Sequence, residues 1–191
     1  MRPTAYPIAI LLATLCACTT VDRLNAPALS GAPASSALAL LRVEASARNL
    51  RGYLSQQVVM GGTLQRIDDG QYIETKAAAG YLVFSDLAPG AYRLVTLRTT
   101  ATDDAGSLAH LYRVPLDSTR AYDLELRAGE PCFLGVIAVL DVLTGPERGV
   151  SFEVRDRARG EAQGWQWFAR VYSASPWAAA SRAPSATCTR R

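Results

Sequence analysis

The sequence predicts a mainly β protein, an antiparallel β-sandwich of about seven to nine strands followed by a C-terminal α-helix. Three observations carry that expectation. Tyr81 to Leu97, YLVFSDLAPGAYRLVTL, is two period-2 apolar runs about a turn, in which Asp86, Pro89 and Gly90 supply a local acceptor, a fixed φ and a tolerated positive φ. Later segments repeat a half-buried alternation: Tyr122, Leu124 and Leu126 against Asp123, Glu125 and Arg127, then Val150, Phe152 and Val154 against Ser151, Glu153 and Arg155. Beyond residue 157 the apolar period changes to three and four, which is helical.

Residues 1–17 read as a signal peptide. Arg2 precedes an apolar core from Ile8 to Leu15, small residues follow, and the run is too short to span a bilayer. Leu15-Cys16-Ala17-Cys18 resembles a bacterial lipobox, with a leucine three residues before the acceptor and a small residue just before it. The resemblance implies diacylglyceryl transfer to Cys18 and cleavage that leaves it first. Cys16 fits badly, since Leu15 would stand where a small residue is wanted. An ordinary secreted protein cleaved after Ala17 is the alternative. Several acyl chains on Cys18, at about 0.8 kcal/mol per buried methylene, would hold the protein in a membrane. Thr19 after the cysteine favours the outer membrane, so the expected location is the bacterial envelope, facing the periplasm or the cell surface.

Residues 18–36, rich in Ala, Pro, Ser and Thr, read as the acylated N-terminus and a flexible linker. The sandwich is expected over 37–156, a helix packed on it over 157–180, and a disordered tail over 181–191. That leaves enough chain for one sizeable core. The net charge is only +3, and the 19 % charged residues are not clustered, which argues against nucleic acid or a polybasic membrane-binding surface.

Taken in order, Leu38 to Ala45 reads as a strand with Ala39, Leu41, Val43 and Ala45 on one face and Arg42 and Glu44 on the other, although Ala and Leu also suit a helix. Gly61-Gly62, within Val58 to Ile67, marks a bulge or a turn. Asp68-Asp69-Gly70 turns the chain into Gln71 to Lys76. Leu108, His110, Tyr112 and Val114 share a strand face. Cys132 to Val142 is apolar on both faces, as a strand covered on both sides must be, and Gly135 permits a bend there. Phe84, Leu94, Leu124, Ile137 and Phe152 are the expected core.

FSDLAPGAYRL, with Phe84, Leu87, Pro89, Gly90, Tyr92 and Leu94, resembles the turn signature of carboxypeptidase regulatory-like and transthyretin-like β-sandwich domains. Ala128, Gly129, Phe133 and Gly135 resemble a turn found in small envelope lipoproteins of this sandwich type, and the stretch from Trp167 to Trp177 resembles their C-terminal helix. The resemblance implies an architecture and little chemistry, because such domains serve many jobs.

In the helical segment Ala158, Ala162, Trp165, Ala169 and Tyr172 fall on one face with Phe168 beside them, and Gly160 and Gly164 weaken the helix by up to about 1 kcal/mol each. His110 is the only histidine, so a multi-imidazole metal site is ruled out by counting. A Cys132/His110 pair is available for nucleophilic catalysis, but Phe133, Leu134 and Val136 favour a buried, inert thiol. There is no nucleophile elbow, P-loop or dinucleotide fingerprint. Asp68-Asp69 and Asp103-Asp104 read as turn residues in preference to calcium ligands. No catalytic residue, metal site or cofactor is assigned. Cys132 and Cys188 remain in the mature chain, and a disulfide between them would close a loop of about 57 residues and contribute about 4 kcal/mol.

The expected function is that of a lipid-anchored, non-catalytic envelope protein acting as a structural or protein-interaction module. Its partners would be the lipid membrane, through the acylated N-terminus, and an envelope protein or envelope polymer. The alternative is a periplasmic ligand-binding lipoprotein, with glycan as the ligand and exposed tyrosines as stacking platforms.

Overall fold

The computed structural model describes residues 26–48, 53–103, 106–115, 123–142, 149–155, 157–181 and 189–190. Their strands are β1 (Ala37–Arg48), β2 (Leu54–Arg66), β3 (Tyr72–Ala78), β4 (Tyr81–Leu87), β5 (Gly90–Asp103), β6 (Gly106–Arg113), β7 (Asp123–Leu126), β8 (Pro131–Val142), β9 (Gly149–Arg155) and β10 (Thr189–Arg190). Helix α1 spans Arg157–Val171, and α2 is the single turn Trp177–Ala180. The fold is mainly β with a small C-terminal helix, as the alternation and the period change predict.

One sheet runs β4-β1-β8-β9, and the other centres on β2 and β5, with β6 and β7 paired to successive halves of β5. The sheets join along one flank. β3 pairs β2 through residues 72–76 and β4 through Ala77 and Ala78, while the start of β2 pairs the end of β1. β1 and β8 run parallel, and every other pairing is antiparallel. Gly61 falls in a register shift of β2 against β5, so the double glycine is a bulge inside one strand and not a turn between two.

The first half of β1 is apolar on both faces because both are covered. Ala39, Leu41 and Val43 face the other sheet with Phe84, Leu64, Tyr92 and Leu94, whereas Leu38 and Leu40 face outward beneath α1. At the margin of α1 the outward positions turn polar, at Arg42, which donates to Gln163 of the helix at 2.7 Å, and then at Glu44 and Ser46. β8 obeys the same rule: Cys132, Leu134, Ile137 and Val139 face in, and Phe133 and Val136 face out. The phase changes at Gly135, whose φ of 126° sits in a bulge against Leu40 and Leu41. Phe84, Leu94, Leu124 and Ile137 are buried as expected; Phe152, on the outermost strand β9, is only half-buried. At the organising turn Tyr92 is fully buried and its hydroxyl donates to the Ala88 carbonyl at 2.7 Å, which ties the strand back onto the turn.

Helix α1 lies on β1 and β8 by a stripe that overlaps the one the spacing suggests, since Trp165, Phe168 and Tyr172 pack on the cluster, but is centred elsewhere. Gly160, Gly164, Trp167 and Phe168 are its buried residues, whereas Ala158 and Ala162 are exposed and Trp165, Ala169 and Tyr172 are intermediate. The glycines that looked like a weakness are the contact. A Cβ on Gly160 would stand 2.2 Å from Val136 Cγ2, and one on Gly164 would stand 2.8 Å from the Phe133 ring. Trp167 stacks on Tyr81 with ring centroids 4.4 Å apart. Gly160→Ala is therefore expected to destabilise the protein by about 1–3 kcal/mol, because overpacking against a stiff valine outweighs the gain of up to about 1 kcal/mol in helix propensity. Denaturant midpoints for G160A and for the exposed control A162G measure both terms; a stabilised G160A would contradict this packing.

From Ala26 onward, the stretch read as a linker lies against the domain. The Tyr172 hydroxyl donates to the Pro27 carbonyl at 3.0 Å, the Ser30 N–H donates to Ser85 Oγ, and Leu29 packs on the helix cluster. Thr189 and Arg190, read as part of a fraying tail, pair with Glu125 and Leu124 of β7.

Candidate binding face

The interior of the sandwich is apolar apart from Thr75, whose hydroxyl donates to the Val83 carbonyl at 2.7 Å, and a polar cluster at the end remote from the Phe84–Tyr92 turn. There Gln57 of β2, Thr99 of β5, His110 and Tyr112 of β6, and Asp141 of β8 meet. Tyr112 Oη lies 2.9 Å from both Asp141 Oδ2 and Gln57 Oε1. A phenol has one proton, and the carboxylate has the stronger claim to it. The phenol oxygen then faces Gln57, whose amide nitrogen is otherwise buried without a partner. Turning that amide over lets its NH2 donate to Tyr112 and Thr99. Burial pushes the Tyr112 phenol up, which keeps it protonated. The His110 ring stacks on Tyr112 with its Nδ1 3.8 Å from Asp141 Oδ2. The cluster joins three elements of one sheet to β8 of the other, and a structural role accounts for every member.

Cys132 stands nine residues before Asp141 on β8, about 30 Å away at strand rise, so the structure separates it from His110. It is 4 % exposed and disulfide-bonded, which removes the nucleophile reading. Cys16, Cys18 and Cys188 lie outside the described residues, as does Asp104. Asp69 accepts from the Gln71 N–H and pairs with Arg66, the work of a turn residue. No group of three metal-ligating side chains occurs among the described residues.

The two sheets differ on their outer faces. That of the β1–β8 sheet is half covered by α1, and the remainder carries linked ion pairs: Arg42 with Glu44, and Arg155 with Glu44 and Glu153. The outer face of the β2–β5 sheet has no covering element among the described residues. Register places its outward side chains in rows across β3, β2, β5 and β6: Glu74, Thr63, Thr96 and Arg113 in one, then Lys76, Gly61, Arg98 and Leu111 in the next. Tyr72, beside Gln65, flanks them. All of these except Lys76 and Gly61 line a groove of about 650 Å³. Tyr72 and Leu111 are exposed to 64 % and 62 %, Arg98 pairs with Glu74 at 3.2 Å, and the Thr96 hydroxyl donates to Thr63 Oγ1 at 2.8 Å. Gly61 keeps the floor low, and Arg98 lies across it.

Sequence reasoning singled out none of these residues. The available signal was the alternation of Tyr72, Glu74 and Lys76 with Ile73 and Thr75, and of Thr96 and Arg98 with Leu97 and Thr99, which marks an outward face without saying whether anything covers it. Of the tyrosines proposed as platforms, Tyr53 and Tyr72 are exposed, whereas Tyr81, Tyr92 and Tyr112 are buried packing. Comparison with protein-family models, curated proteins and solved structures finds no match.

Proposed function

We propose that this chain is a lipid-anchored, non-catalytic module of the bacterial envelope, acting by recruitment through the outer face of the β2–β5 sheet. The observation that carries the reading is the asymmetry of the two faces: helix and ion pairs occupy one, and an open groove with exposed Tyr72 and Leu111 marks the other. The anchor side is consistent with it. Pro27, near the start of the described residues, is held by Tyr172 next to α1, so an anchor at Cys18 would join the domain on the helix side. Eight residues, 18–25, would span at most about 28 Å fully extended, which would keep an anchored domain close to the lipid. Exposed apolar side chains beside cations are what an interaction surface offers. Among the described residues, the Asp141–His110 pair meets Tyr112, whose role there is accounted for by the polar cluster.

Cys188 is the proposed partner of Cys132. Its neighbour Thr189 is already paired to β7, whose last residue, Leu126, precedes β8 closely in the chain.

The anchor is tested by fractionation and intact mass. The mature protein is expected to begin at an acylated Cys18, and C18A is expected to release it from the membrane fraction. An unmodified N-terminus, or membrane retention of C18A, would contradict the proposal.

A further inference from the structure

We propose that the groove on the β2–β5 sheet binds an anionic saccharide chain, an inference that rests on this face being the working surface. Charge complementarity carries the first step. Arg98 and Arg113 line the groove against the single carboxylate of Glu74, an excess of one positive charge, and Lys76 stands beside it in the row of Arg98. Arg113 and Lys76 make no ion pair among the described residues. Guanidinium groups at a groove select carboxylate or phosphate by paired N–H donors.

Form carries the second step. A peptide that docks by strand addition gains its affinity from main-chain bonding at a strand edge, whereas this groove lies over the paired interior of the sheet, where only side chains are presented. Those side chains suit a polyhydroxylated ligand: the Thr63 and Thr96 hydroxyls, the Gln65 amide, and the exposed ring of Tyr72 as a flat apolar platform. Tyr72 on β3 and Arg113 on β6 are three strand spacings apart, about 14 Å, enough for more than one sugar ring. Tyr72 at one end and the arginines at the other would therefore grip successive residues of a chain.

The test is calorimetric titration of the detergent-extracted full-length protein with an oligogalacturonate, a neutral cello-oligosaccharide of equal length, oligoglutamate and inorganic phosphate. Oligogalacturonate is expected to bind, and Y72A and R113E each to weaken it by about tenfold or more while leaving the thermal midpoint unchanged. The other three probes are expected to bind weakly or not at all. Absence of oligogalacturonate binding, equal binding of the neutral chain or of oligoglutamate, or indifference to Y72A would each overturn the inference. A photo-crosslinking residue at position 111 separates the two levels. If oligogalacturonate fails but position 111 crosslinks to an envelope protein, the saccharide is wrong and the face is right; if position 111 crosslinks to nothing, the face itself is wrong.

Discussion

Phe133→Ala is expected to cost about 3–5 kcal/mol. Phe133 is fully buried at the centre of the layer between the β1–β8 sheet and α1, with Gly160 and Gly164 against its ring and Trp165 edge-on to it at 6.4 Å. The space left by truncation cannot close easily. The helix backbone above it is already held down by the Trp167–Tyr81 stack and by buried Phe168, so the loss combines transfer and cavity terms. Urea unfolding should show a lower midpoint, and hydrogen exchange should rise across 160–171 more than in β5. A change below about 1 kcal/mol would mean that α1 is not packed on this ring.

Trp177→Ala belongs in the same range, about 3–5 kcal/mol, and the comparison with W177F gives it a sharper form. Trp177, in α2, is fully buried in the same cluster, yet its indole N–H has no hydrogen-bond partner among the described residues. A buried donor without a partner costs about 1–3 kcal/mol. Trp177→Phe removes that donor while keeping a ring, so it should cost far less than the alanine variant. Equal losses in the two would show that the indole N–H is satisfied after all.

The strands were legible because period-2 alternation reports one covered face, and β5, β7 and β9 have it in their sequences, whereas β4 is buried on both faces from Tyr81 to Phe84. β8 was legible as a strand covered on both faces, whereas β1 read as half-buried, with a helix as the alternative, because the cover over Leu38 and Leu40 is α1, far off in sequence. The docking face of α1 was misread for a physical reason. A helical stripe is found by its large apolar residues, whereas here Gly160 and Gly164 share the contact with Trp167 and Phe168 and let the backbone approach closely. The parallel β1–β8 pair was equally hidden, since alternation carries no strand direction. Neither the polar cluster nor the groove could be read locally. Gln57, Thr99, Tyr112 and Asp141 are drawn from four strands, and the groove rows cross four, so only register brings either set together.

The central claim is that the β2–β5 face, and not the helix side, meets the envelope. Crosslinking in intact cells with a photo-reactive residue at position 111 or, in a separate strain, at position 166 on the exposed side of α1 compares the two surfaces directly. The account predicts a discrete crosslinked envelope species from position 111 and none from position 166; crosslinks from 166 with none from 111 would contradict it.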